Sequence, residues 1–235
     1  MSAPAVSIAF FDRDRQLCGS ARSGASVLFK DSTATALPEG PSVESQAEGL
    51  RAELAGLFSL RLAPVSEPAD LGLLSARVCH VHGDVGGAKV DCLGTVAESR
   101  EAPAWEELDA LRSVSVLVDE HHALLAVARR PRGAQGHGDE LVAAHLLREG
   151  ELLGVEDARV STVYDGEGRQ RSAGLELWLP GEDFPRRAFG TVVGGTTLQL
   201  EQLVVNASVF AWRMEGREGA GAYDLVVRDQ PPVAA

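Results

Sequence analysis

LVAAHLLREGELLGVEDARVSTVYDGEGRQRSAGLELWL, residues 141–179, is the stretch whose reading decides the fold. It reads as three strand-like runs joined by two turn signals. The second signal, Asp165-Gly166-Glu167-Gly168, stands between runs in which apolar and polar residues alternate, a strong short-range hairpin cue. Successive side chains of a strand point to opposite sides. Ala173, Leu175, Leu177 and Leu179 therefore share one face, and Ser172, Gly174, Glu176 and Trp178 share the other. A period of two with one apolar face marks a half-buried antiparallel strand.

The same pattern runs outward in both directions. Leu50, Ala52, Leu54, Phe58, Leu60 and Leu62 fall on one face, either of one strand or of two strands with a tight bend at Gly56. Val6 to Phe11 and Gly19 to Phe29 are strand-like, and Leu73 to His82 with Lys89 to Glu98 reads as a hairpin. Val114 to Val118 and Ala123 to Arg129 flank a polar turn, Asp119-Glu120-His121-His122. Further on come a strand from Arg187 to Val193, a turn at Gly194-Gly195, and a long run from Thr196 to Met214 with a bulge near Glu201-Gln202. A turn over Gly216 to Gly221 and a last strand, Tyr223 to Val227, complete the pattern. Turn cues recur about every 8–12 residues, as in sandwiches and barrels. One segment, Pro103 to Leu111, predicts a short helix: Pro suits the first turn, acids favour the positive end, and Trp105, Leu108 and Leu111 recur at spacing three. The expected fold is all-β and antiparallel, with a first half over residues 1–102 and a second half, opened by that helix, over 103–235.

Composition sets further bounds. The chain has 235 residues, 45% of them hydrophobic, enough for a sizeable core. Its net charge is −12 and its pI about 4.9, which argues against nucleic acid, whose affinity comes largely from Lys and Arg on phosphates, and against an anionic membrane surface. The N-terminus, MSAPAVSIAFFDRDRQ, lacks a basic segment followed by a long apolar run, and no stretch reaches the roughly 18 uninterrupted apolar residues of a membrane span. The expectation is a cytoplasmic protein without membrane insertion. Three cysteines, an odd number, favour free thiols, although Cys79 and Cys92 flank a hairpin turn and a disulfide between them stays open.

Few stretches carry chemistry. Cys79-His80-Val81-His82 is the most metal-like, because His80 and His82 point to the same side of a strand and suit two imidazoles on one ion. A third ligand would have to come from Asp84, Glu98, His121 or His122. Without a His-Glu-x-x-His or Cys-x-x-Cys motif, the expected reading is a partly exposed strand end, with no metal and no cofactor. His121 and His122 sit at a hairpin tip. His137 lies in a Gly-rich loop, on the surface or over a barrel mouth. His145 alternates with Ala143 and Leu147, as a core or pocket histidine would. The Gly-rich stretches match no phosphate loop, and no Gly-x-Ser-x-Gly exists for a serine hydrolase. Arg129-Arg130-Pro131-Arg132 is a basic cluster, either a solvated turn or a holder of a carboxylate or phosphate.

FFDRDRQLCGSARSGASVLF (residues 10–29) resembles the opening strand pair of lipocalin-like proteins related to carotenoid 1,2-hydratase and hydroxyneurosporene synthase. ARVSTVYDGEGRQRSAGLELWL (158–179) and GREGAGAYDLVVR (216–228) resemble strands of the second half of that superfamily. The resemblance implies two consecutive lipocalin-like β-barrels with a pocket for an apolar, isoprenoid-like molecule. It also directs attention to acid-initiated hydration, isomerisation or cyclisation. On that reading Glu176 or Asp157, beside aromatics in an apolar barrel, donates the proton, and an aromatic ring stabilises the cation formed. Trp178, Tyr164, Arg159, Phe210 and Trp212 are the expected ligand-binding residues, with His145 a reserve base. The competing reading of Glu176 is a solvent-facing acid opposite an Arg. A non-catalytic carrier and a structural module with a filled interior are the alternatives in function. A homodimer would use a strand edge or an apolar outer face.

Overall fold

The computed structural model describes residues 5–31 and 33–228. They form two antiparallel sheets in succession, each curled on itself. The first comprises β1 (Val6–Asp12), β2 (Leu17–Arg22), β3 (Ala25–Lys30), β4 (Thr33–Leu37), β5 (Ser42–Gln46), β6 (Gly49–Leu54), β7 (Phe58–Pro64), β8 (Ala69–Asp70), β9 (Leu74–Val85) and β10 (Ala88–Ser99). The second comprises β11 (Leu108–Asp119), β12 (His122–Pro131), β13 (Leu141–Arg148), β14 (Glu151–Gly154), β15 (Asp157–Tyr164), β16 (Gln170–Trp178), β17 (Arg186–Leu200), β18 (Leu203–Met214) and β19 (Arg217–Arg228). A single 3₁₀ turn, His137–Asp139, precedes β13. Among the described residues no helix is long and apolar enough to cross a membrane.

The two sheets follow the same path. Their strand orders are β4-β3-β2-β1-β10-β9-β7-β6-β5, with the short β8 on β9, and β14-β13-β12-β11-β19-β18-β17-β16-β15. The chain starts mid-sheet, builds to one edge by hairpins, moves to the opposite edge, and returns until its last strand pairs with its first. Repetition thus lies in the topology, although the sequence carries no visible repeat.

Alternation divides the core into three layers. Ile8, Phe10, Leu60, Leu62, Val81 and Val96 pack inside the first curl. Val116, Leu124, Leu146, Leu175, Leu177 and Phe210 pack inside the second. Between the sheets, Phe11, Val27, Phe29 and Val78 of the first half meet Leu125, Val127, Val205 and Val209 of the second. Each buried Leu, Val or Phe contributes roughly 1.5–3 kcal/mol, so this middle layer joins the halves by the same force that fills each curl. Arg22 and Asp224 add an ion pair across the junction, both largely shielded from solvent.

Several expectations are met. Leu50 to Leu62 is the hairpin β6–β7, with Gly56 at φ 74° in its turn. Ala173, Leu175, Leu177 and Leu179 are buried, between 0% and 4% exposed. Others need correction. Residues 141–179 contain four strands, and β14 and β15 lie on opposite edges of the sheet. The helix over Pro103 to Leu111 is absent. Trp105 and Glu107 donate backbone bonds to Pro103 and Ala104 in tight turns, and Leu108 already begins β11. A helix this short is marginal alone, whereas Ala110 and Leu111 gain ladder partners on both β12 and β19.

Turn and bulge also trade places along the long run. Glu201, at φ 53°, turns the chain between β17 and β18, while Gly194-Gly195 stay in β17 beside a bulge. Gly216 is in a turn, but Gly219 and Gly221 belong to β19. All three cysteines are free thiols, so Cys79 and Cys92 form no disulfide.

Candidate functional site

The acid-and-aromatic group on β15–β16 exists, but on the outer face. Arg159 stands opposite Glu176, and Asp157 opposite Trp178. The Arg159 guanidinium lies 5.0 Å from the Trp178 ring centroid, and Glu176 Oε1 accepts from Nε of Arg187 at 2.9 Å. Arg159 and Asp157 are exposed, and Glu176 and Trp178 only partly covered. The solvent-facing reading of Glu176 is thus the one its surroundings match. The interior of this curl is occupied instead by Leu175, Leu177, Phe210 and Trp212.

Tyr164 does not belong to that group. It has the strand parity of the buried Ala158 and Val160, is itself 37% exposed, and lies near Arg112, whose charge it favours. There it joins a polar cluster at one end of the second curl. Arg112 Nη1 donates to Glu140 Oε2 at 2.6 Å, and Arg130 Nη1 donates to Oε1 at 3.3 Å. The Tyr223 hydroxyl meets Thr162 Oγ1 at 2.6 Å. Burial pushes the Tyr223 phenol well above its ordinary range. Arg130, part of the basic cluster visible in the sequence, thus holds a carboxylate of its own chain.

His145 sits on the face of β13 turned toward the first half, between Ala143 and Leu147 of the middle layer. Burial lowers its pKa, opposed by Asp70 of the first half. Its Nδ1 is buried without a partner among the described residues.

A cleft of about 500 Å³ opens elsewhere, between the halves. Its second-half wall is the outer face of β17, β18 and β19, with Phe189, Val193, Ala211 and Ala220; Cys18 and Phe29 close it from the first half. Phe189 and Val193 are 57% and 47% exposed, high for side chains of their size. Phe210 and Trp212 also border it, but they are 0% and 2% exposed, and their rings stack at 5.2 Å within the second curl. They support the cleft floor. Gly190 leaves the space that the Trp212 ring fills, since a Cβ there would lie 2.5 Å from it.

One end of the cleft is charged. Arg13, from the β1–β2 turn, donates to the Glu218 carbonyl at 3.2 Å, and its Nη2 lies 3.5 Å from the Glu218 carboxylate. Arg213 reaches the same carboxylate at 3.4 Å. The arrangement suits an apolar molecule with one polar end: volume and walls match small-molecule sites, which combine apolar lining with few polar groups. The sequence did signal it. Val209, Phe210, Ala211 and Trp212 are consecutive apolar residues, which a strand with one wet face would not need.

Cys18, at the cleft wall, lies in surroundings that disfavour its thiolate. Burial pushes the thiols of Cys18, Cys79 and Cys92 up to about 12. At pH 8 the thiolate fraction is then of order 10⁻⁴, against roughly a quarter for a free thiol. Folded protein is expected to give almost no rapid reaction with a chromogenic disulfide reagent, and denatured protein three equivalents. A fast-reacting equivalent in the folded state would contradict the described burial.

No family model matches the chain, and no curated protein matches its sequence. Among solved structures, kievitone hydratase from Nectria haematococca superposes with a TM-score of 0.63 at 11% identity, over 96% of this chain and 89% of that one. CghA superposes with a TM-score of 0.64 at 10% identity, over 97% and 90%. Such coverage takes in both sheets and their junction, so the chain has the tandem lipocalin-like fold of these two proteins.

Proposed function

We propose that this protein binds an apolar small molecule with one polar end, in the cleft between its two halves. The observation that carries this reading is the cleft itself: Phe189, Val193 and Ala211 form an exposed apolar wall that ends at the Arg13–Glu218–Arg213 cluster. Exposed apolar surface gains by being covered, and the charged end fixes the orientation of a hydroxyl, carbonyl or carboxylate. An isoprenoid-like compound belongs to this class.

Chemistry on that molecule is the second reading, and Glu218 favours it. Paired with Arg13 and Arg213 at the cleft, it is placed as a carboxylate to accept a proton from a bound hydroxyl or from a water, as hydration or its reverse requires. That kievitone hydratase has the same fold agrees with a reaction of this kind.

Native mass spectrometry before and after mild organic extraction, followed by titration with an environment-sensitive apolar dye, tests the binding reading. One saturable site per chain is expected. Ala211→Trp, which fills the cleft from its wall, is expected to weaken the dye by about tenfold or more, a loss of at least ~1.4 kcal/mol. Absence of saturable binding, or binding unchanged in Ala211→Trp, would sink it. If a bound compound is recovered, Glu218→Gln separates catalyst from carrier: turnover vanishes with binding retained only if Glu218 moves a proton.

A further inference from the structure

The cleft leaves unused the histidine pair on β9. His80 and His82 share a face of that strand, and their rings meet edge to face, centroids 4.9 Å apart. Nδ1 of His80 faces Nε2 of His82 at 3.2 Å. The outward nitrogen of each ring meets a carboxylate. His80 Nε2 lies 2.9 Å from Glu120 Oε1, and His82 Nδ1 lies 3.1 Å from Asp91 Oδ1. Asp91 is the cross-strand partner of His82 on β10, whereas Glu120 comes from the β11–β12 turn of the other half.

These contacts dictate the tautomers. A carboxylate accepts only, so each outward nitrogen carries the proton and donates it. The two inward nitrogens are then both lone-pair acceptors, facing each other at contact distance. That arrangement is repulsive unless a cation lies between them. The spacing suits a metal: two nitrogens bound at about 2.0–2.1 Å to a tetrahedral ion stand about 3.3 Å apart. Carboxylates on the outward nitrogens are also the usual support of metal-bound histidine, fixing the ring and raising its basicity.

We propose that His80 and His82 bind a divalent transition-metal ion of the zinc class, with Asp91 as the neighbouring carboxylate and Glu120 positioning His80. Ligand-capable atoms of His80, His82 and Asp91 all lie within 4.8 Å of one another. The site is partly open to solvent, which leaves room for water to complete the coordination. Arg61, opposite His82 on β7, adds positive charge, which the two carboxylates offset. None of the third ligands suggested by spacing takes part: His122 Nδ1 is held by Asp119 and Arg217, His121 stays at its turn, Asp84 caps Gly87, and Glu98 faces Arg77. Because Glu120 belongs to the second half, the ion also ties the two halves together at the surface.

Calorimetric titration of chelator-treated full-length protein with Zn²⁺ tests the site, with Co²⁺ as a spectroscopic probe. One ion per chain and a visible Co²⁺ spectrum of low coordination number are expected. His80→Ala and His82→Ala should each weaken binding at least tenfold, and Glu120→Gln about tenfold. Zn²⁺ should raise Tm of the parent and leave that of the double His80→Ala/His82→Ala variant unchanged. No uptake by the parent overturns the proposal and leaves a proton between the rings. Undiminished uptake by the double variant overturns it by placing the ion elsewhere.

Discussion

Glu140→Ala is expected to lower the stability of the protein by about 3–5 kcal/mol, the cost of stranding one member of a buried ion pair. The Glu140 side chain is 1% exposed and that of Arg112 is 5% exposed. In water both would be solvated; here each depends on the other. Removing the carboxylate leaves Arg112 with its charge uncompensated, and its Nε already lacks a partner among the described residues. Arg130 is 28% exposed and can turn to solvent, so it adds little to the loss. For a chain of this size the expected fall in Tm is roughly 10 °C. Urea unfolding at constant m-value reads the free energy directly.

The double variant discriminates between two roles of the pair. A buried pair can often be exchanged for apolar residues of similar volume at little cost. Arg112→Leu with Glu140→Leu should therefore recover most of the stability lost in Glu140→Ala. If Glu140→Ala costs under about 1 kcal/mol, the carboxylate is solvated and the ion pair is not a buried one. If the double variant stays as unstable as the single one, Tyr164 and Tyr223 depend on Arg112 for more than its charge.

The sequence made the strands legible because their faces differ. Leu50 to Leu62 and Ala173 to Leu179 alternate cleanly, and both lie against the inside of a curl with solvent behind them. Legibility failed where a second force overrode the local pattern. The helical spacing of Trp105, Leu108 and Leu111 yielded to ladder bonds, which no local window reveals. Glu201 turns the chain at positive φ, a conformation normally left to Gly, so the nearby Gly194-Gly195 drew the turn. The site was lost through parity. Tyr164 lies an odd number of residues from Asp157 and Arg159, and counting by two places it on the other face. Phe210 and Trp212 were legible as important aromatics, yet a single strand cannot show that its neighbours Val209 and Ala211 face another sheet. A cleft between halves is a property of how they dock, and only the two-sided apolar runs hinted at it.

Gly221→Ala is expected to cost about 3 kcal/mol, at the upper end for one added methyl group, because the clash is with backbone. In both halves the last strand closes onto the first through glycines. A Cβ at Gly94 would lie 2.2 Å from the carbonyl oxygen of Ala9; at Gly219, 2.5 Å from that of Leu117; at Gly221, 1.8 Å from that of Ser115. Side-chain repacking cannot relieve such contacts, so β11 and β19 must part. The β11–β19 pairing is already irregular there, with no partners between Val114 and Leu117, and the Ala222 N–H donates to Ser115 Oγ at 3.0 Å instead. Ser115→Ala should therefore cost about 1–3 kcal/mol by stranding that donor. Gly166→Ala, with nothing within 4 Å of its Cβ position, should stay within about 0.5 kcal/mol of the parent. If Gly221→Ala matches Gly166→Ala, the seam tolerates bulk and close approach does not explain its glycines. The same variant reports on the cleft, since Glu218, Gly219 and Ala220 of β19 border it. Weaker dye binding in folded Gly221→Ala would mean that the seam sets the position of the cleft wall. Unchanged binding would confine the distortion to the Ser115 side, away from Glu218.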